Sequence, residues 1–274
     1  MKTILVPTDF SENSDNAIDY AAQLALLSNS SLIFFHVYHT PLLTPETALL
    51  LPKLEEIEKI SENALNKLKI KYNEKYPSLN IIVKTKCGLG AEEIIDYAND
   101  NKVNLIVMGM RGAGILEEKL AGSVTTSVME KVKIPVFAID EFVKFKSPRK
   151  IILATDYNDA TLATYEILID LAKQLKAHIY VLKVVPTDSY LPEAEEALEG
   201  IKLKNVLEGT NHTFHVVANE SVTDGINQYA DKIEADLVVM VAHQHSFIHK
   251  IFKEPHTKQM AFHSKVPLLC LHDN

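Results

Sequence analysis

ILVPTDF at residues 4–10 returns as IILATDY at residues 151–157. Each is a short apolar run closed by Thr-Asp and an aromatic residue, and each leads into a helical pattern. A strand that recurs 147 residues later marks a duplicated chain before any fold is assumed. At that offset Leu24, Ala25, Val37 and Thr40 fall on Leu171, Ala172, Val184 and Thr187. Farther along the offset is 132: Ile94, Tyr97 and Ala98 fall on Ile226, Tyr229 and Ala230, VNLIVMG on ADLVVMV, and KIPVF on KVPLL. The 15-residue difference is a shortening between the second and third strands, where the first copy carries TPLLTPETALLLPKLEE with Pro41, Pro45 and Pro52.

Within the first copy, strand-like runs at 3–7, 31–38, 80–85, 104–109 and 134–139 alternate with amphipathic helices near 12–28, 53–75, 91–101 and 123–132. Ser11 caps the first helix. Such alternation predicts βαβ units and parallel strands. The expected fold class is therefore α/β, with two tandem five-stranded parallel-sheet domains at residues 1–142 and 148–274. The charged segment EFVKFKSPRK, 141–150, joins them.

The length of 274 residues fits two domains of roughly 100–150 residues each. With 47% hydrophobic and 23% charged residues and no Trp, the chain has apolar material for two cores. A net charge of −8 without a clustered basic footprint argues against a nucleic-acid partner. No stretch approaches the ~20 apolar residues of a membrane span, and the apolar run before Asp9 is too short for a signal peptide. Cys87 and Cys270 lie in apolar runs without a CxxC pattern, as structural thiols in a reducing compartment do. These features predict a cytoplasmic protein with no membrane partner.

VMGMRGAGILEEKLAGSVTTSV, 107–128, holds four of the nine glycines. Glycine tolerates positive φ and lets another group approach the backbone. Gly122 and Ser123 open a helix whose free N–H groups and positive dipole end favour an anion, and the Ser123 and Thr125 hydroxyls could add donors. The first glycines follow strand four, and ligands of open α/β sheets settle at such strand ends. Asp9, after strand one, lies across the same crevice as an acceptor. On local grounds alone Gly109, Gly112 and Gly114 could equally be turn residues, Ser123 an N-cap, and Asp9 a cap of the first helix. Neither a Walker A loop nor a GxGxxG turn after strand one is present.

The spacing Gly109-x2-Gly112-x9-Gly122-Ser123 resembles the nucleotide-binding signature of the universal stress protein family. ILVPTDFSENSDNA, 4–17, resembles that family's opening strand and helix, and the duplication resembles its tandem two-domain members. The resemblance implies a Rossmann-like, adenine nucleotide alpha hydrolase-like fold in each half. It also implies bound ATP, or ADP or AMP, with Mg²⁺ or Mn²⁺ held through phosphate oxygens. On this sequence Pro7, Thr8 and Asp9 would flank ribose and adenine, and Val37 would meet the adenine edge through its backbone. Met108, Gly109, Arg111 and Gly112 would line ribose and phosphates, while Gly122, Ser123, Val124 and Thr125 would hold the phosphate tail. It implies further that the last strands, IPVFAI and VPLLCL, pair edge to edge across a pseudo-twofold, and that the protein can form a homodimer.

The second copy departs from this pattern. In register, Gly109, Gly112, Gly122 and Ser123 become Val241, Gln244, Glu254 and Pro255. These add side chains, a negative charge and a missing N–H where phosphates would lie. Thr155 and Asp156 survive, but with Thr257 they are not enough for a phosphate site, so this half is expected to keep the fold without the nucleotide. It holds nine of the eleven histidines. His243 and His245 with His249 or His256 could form a zinc site, or the group could be a polar or pH-sensitive surface. Three functions stay open: a regulatory nucleotide binder in stress response, a slow ATP hydrolase using Glu117 or Glu118 to orient water, and an interaction protein that binds no nucleotide.

Overall fold

The computed structural model describes residues 2–39, 54–110, 123–156, 161–186, 194–242 and 266–272. The first half runs β1 (Thr3–Pro7), α1 (Glu12–Ser28), β2 (Ser31–Tyr38), α2 (Leu54–Lys75), β3 (Ile81–Cys87), α3 (Gly90–Asp100), β4 (Leu105–Gly109), α4 (Ser123–Lys131) and β5 (Val136–Ile139). The second half runs β6 (Lys150–Ala154), α5 (Leu162–Leu175), β7 (His178–Val185), α6 (Ala194–Val206), β8 (Asn211–Ala218), α7 (Val222–Ile233), β9 (Leu237–Ala242) and β10 (Leu268–His272). These bounds follow the sequence pattern closely. Ser11 is the N-cap of α1, accepting from the Ser14 N–H at 3.2 Å, and the helix ends at Asn29 in the left-handed region.

The ten strands form one sheet in the order β3-β2-β1-β4-β5-β10-β9-β6-β7-β8. Pairing is parallel within each half, as buried βαβ strands require. The two halves meet through one antiparallel pair, β5 with β10, in the register Val136↔Cys270, Phe137↔Leu269 and Ala138↔Leu268. The expected edge-to-edge contact of IPVFAI and VPLLCL is thus present within the chain.

Alternate residues of each strand feed two cores. Ile4 and Val6 face the layer of α1, α2, α5 and α6, together with Ile18, Phe34, Tyr72, Phe137 and Leu203. Leu5 faces the layer of α3, α4 and α7 with Phe35, Ile94, Met129 and Ile226. Each core contains residues of both halves.

The joining segment is not a bare tether. The Asn16 amide of α1 donates to the Asp140 and Val143 carbonyls at 2.9 and 2.8 Å, and Lys144 Nζ donates back to Asn16 Oδ1 at 3.1 Å. Phe145 meets Tyr20 edge-on at 4.9 Å between ring centres, and Val143 is buried.

One clamp recurs in both halves. Asn104 Oδ1 accepts from the Lys2 and Thr3 N–H groups at 3.1 and 3.0 Å, fixing the start of β1. At the equivalent place Asp236 Oδ2 accepts from the Arg149 and Lys150 N–H groups at 2.8 and 2.9 Å, fixing the start of β6. Asp236 also pairs with Lys146 Nζ at 2.5 Å. Burial alone would raise its carboxyl, but the hydrogen bonds from Lys146 and the two backbone N–H groups outweigh burial and hold it below the usual range. A depressed folded-state value contributes stability that is complete above the unfolded carboxyl value of about 3.9 and is lost as pH falls through the folded value. Asp236→Asn keeps an acceptor of the Asn104 kind and removes this titration. We therefore expect the melting temperature of the variant to fall less between pH 5 and pH 3 than that of the parent, measured by circular dichroism. Parallel curves would show that Asp236 does not carry acid sensitivity.

Candidate functional site

In the first half β1 has β2 on one side and β4 on the other, so the sheet order reverses between β1 and β4. Helices leave opposite faces there and a crevice opens beyond the carboxyl ends. A cavity of about 160 Å³ occupies it. Its walls are Pro7 ending β1 with Thr8 and Asp9 after it; Phe35 and Val37 of β2 with His39 just after it; Met108 and Gly109 ending β4; Ser14 of α1; Gly90 and Ile94 of α3; and Val124 and Thr125 of α4. Phe35, Val37 and His39 alternate along the chain, so they form one row leading from the core to the rim. With Ile94, Met108 and Val124 they make an apolar wall. Thr8, Asp9, Ser14 and the start of α4 supply the polar side.

The turn after β1 is held from several directions. Thr8 N–H donates to the Phe35 carbonyl at 2.8 Å, and Thr8 Oγ1 accepts from Phe10 N–H at 3.0 Å and shares a hydrogen bond with Ser14 Oγ at 2.9 Å. Phe10 has φ of 62°, an uncommon value for a bulky residue, and its ring lies 4.5 Å from that of His36. His36 Nδ1 is 2.7 Å from the Thr8 carbonyl oxygen. Asp9 Oδ1 accepts from both the backbone and the hydroxyl of Ser11, at 3.1 and 2.6 Å. The Asp9 carboxylate thereby steadies the turn into α1, while Ser11 does the capping.

Gly109 packs closely against Asn13 of α1. A Cβ there would lie 3.0 Å from Asn13 Cγ and 3.1 and 3.2 Å from its amide oxygen and nitrogen. The Thr125 hydroxyl donates to the Gly109 carbonyl at 2.8 Å and is buried. The same residue lines the cavity. Thr125 also ties α4 to β4, so the first N–H groups of α4, which have no partner within the helix, open beside the cavity.

Of the residues expected from sequence, the structure brings Pro7, Thr8, Asp9, Val37, Met108, Gly109, Val124 and Thr125 together on this one cavity. Ser123 is the first residue of α4. Arg111, Gly112 and Gly122 lie outside the described residues, as do Glu117 and Glu118 and the histidines from 243 to 263. Sequence reasoning missed Ser14, Phe35, His39, Gly90 and Ile94. The two-residue period of β2 could have supplied Phe35 and His39 once Val37 was chosen. Gly90, where α3 begins close to Val124, carried no comparable signal.

The described residues of the second half keep the strand-end geometry. Thr155 N–H donates to the Leu182 carbonyl at 3.1 Å, as Thr8 does to Phe35. Val241, in the place of Gly109, is buried, and α7 approaches β7 so closely that a Cβ on Gly225 would lie 2.7 Å from Val184, the counterpart of Val37. Among the described residues no group of three or more His, Cys, Asp or Glu could hold a metal ion, and no helix is long and apolar enough to cross a membrane.

The family model described as "Universal stress protein family" matches this chain twice, over residues 1–140 and 148–272. The chain is 33% identical over 155 residues to the universal stress protein MJ0577 of Methanocaldococcus jannaschii, a match covering 50% of this chain and 94% of that protein. It is 30% identical over 145 residues to the universal stress protein YxiE of Bacillus subtilis, covering 50% and 97%. A universal stress protein from Archaeoglobus fulgidus, solved by crystallography, shares the fold over 99% of this chain and 98% of that one, with a TM-score of 0.75 and 19% identity.

The glycine contact has a test within the chain's own repeat. The second half places Val241 where the first has Gly109, and Ala160 where the first has Asn13. Gly109→Val alone should overpack the site and cost about 1–3 kcal/mol in urea denaturation. The double variant Gly109→Val with Asn13→Ala should recover most of that loss. A purely additive pair of effects would count against the contact.

Proposed function

Because this chain belongs to the universal stress protein family, we propose that it binds ATP, or the related ADP or AMP, in the first-half crevice and acts as a regulatory binder in stress response. The observation that carries this reading is the convergence of eight residues, expected from the family resemblance, on one cavity at the switch point of the sheet. The apolar row of β2 and α3 suits a flat base, and the turn at Thr8 and Asp9 presents polar atoms at ribose height. The opening of α4, with its free N–H groups, suits a phosphate tail. Gly109 ends β4 at the cavity wall. No carboxylate cage is present among the described residues, so Mg²⁺ or Mn²⁺ would enter on the phosphate oxygens. The second half, with Val241 at the glycine position and Gly225 closed onto Val184, serves as a fold partner without its own nucleotide.

The test is mass spectrometry of ligand released from purified protein, followed by calorimetric titration with ATP, ADP and AMP in the presence of Mg²⁺. Gly122→Glu copies the second half at Glu254 and should weaken ATP binding by about 100-fold or more, through repulsion of the phosphates, with an unchanged circular dichroism spectrum. Unaltered affinity in this variant would remove the phosphate assignment. No binding by the parent at millimolar nucleotide would remove the reading itself. A turnover assay with ATP then separates a binder from a slow hydrolase.

A further inference from the structure

Phe35, Val37 and His39 line the cavity, so His36, one position out of phase, lies on the other face of β2 and is not part of the wall. Its imidazole nevertheless reaches the same turn. Nδ1 lies 2.7 Å from the Thr8 carbonyl oxygen, and because a carbonyl can only accept, Nδ1 carries the proton. The ring meets that of Phe10 at 4.5 Å between centres. Phe10, with φ of 62°, stands in the left-handed region that bulky residues avoid, a conformation that persists where neighbours hold it. One imidazole thus holds the residues on both sides of Asp9, which lines the cavity.

The second half separates this contact from the needs of the fold. The bond that closes the first strand is kept there, from Thr155 N–H to the Leu182 carbonyl, as from Thr8 N–H to that of Phe35. The residue after Leu182, in the place of His36, is Lys183. A strand end of this kind therefore forms without an imidazole, and the imidazole goes with the half that has Gly109 and the described cavity. We infer that His36 is a positioning residue for the ligand: by donating to Thr8 and packing on Phe10, it fixes the Thr8–Asp9 turn at the cavity wall. This rests on the nucleotide reading and deepens it, because affinity then depends on a side chain outside the wall.

Two substitutions divide the imidazole into its parts. His36→Asn places an amide nitrogen where Nδ1 stands and drops the ring, whereas His36→Phe keeps a ring against Phe10 and drops the donor. Calorimetric titration of the full chain with ATP and Mg²⁺ should show affinity lower by about tenfold in His36→Phe and within about threefold of the parent in His36→Asn. A side chain that merely fills space would give the opposite order, with Phe the milder change. Nitrogen NMR of the unaltered protein gives a measure that does not depend on a variant folding. It should find the His36 Nδ1 protonated, with a resonance that shifts as ATP saturates the site. Parent-like affinity in His36→Phe overturns the inference and leaves the nucleotide reading standing. So does an Asn variant as weak as the Phe variant, an unprotonated Nδ1, or a ring signal that does not respond to ATP. A parent that binds no nucleotide removes both.

Discussion

The antiparallel contact of β5 with β10 is the constraint from which the rest of the molecule follows. A five-stranded parallel sheet has a last strand buried on both faces yet open along one side, and open backbone groups next to apolar side chains invite uncontrolled pairing. Joining two copies at that side satisfies both edges and makes the cores continuous across the seam. Phe137, Ala138, Leu269 and Cys270 are accordingly almost wholly buried. Burial also pushes the Cys270 thiol far above its ordinary value, so it stays protonated and packs as a small apolar group. The joining segment follows the same logic: Asn16 takes up two of its carbonyls, and Lys146 reaches Asp236 of the second half.

Much of this was legible in the sequence, for definable reasons. Strand ends, helix periods and the Ser11 cap are local properties, and the copy at an offset of 147 residues made each half a check on the other. Val37 is what the family resemblance implies for the end of the second strand. What stayed hidden depends on side chains meeting across long separations. Nothing in the neighbourhood of Gly109 announces Asn13, and nothing near Thr125 announces that its hydroxyl is directed to a carbonyl sixteen residues earlier. The clamp by Asn104 and Asp236 was likewise invisible, because an Asn in one copy and an Asp in the other look like drift until both are seen holding two backbone N–H groups. The charged composition of EFVKFKSPRK suggested a tether, and its packing rests on Val143 and Phe145, which composition does not distinguish.

The asymmetry between the halves has a simple physical form. The first half has Gly109 against Asn13 of α1 and Gly90 close to Val124. The second half has a buried Val241 at the Gly109 position and Gly225 of α7 packed against Val184. Asn13 sits close against the glycine, and Ala160 accompanies the valine in sequence. An open crevice leaves part of its stabilisation to whatever enters it.

Because the seam is antiparallel, all strands of one half run opposite to all strands of the other, so the carboxyl ends of the two sheets face away from each other. The molecule therefore has two poles. One carries the cavity between β1 and β4; from the other the chain leaves β9 at Ala242 toward its histidine-rich stretch. Anything gathered at one pole is separated from the other by the full length of the strands.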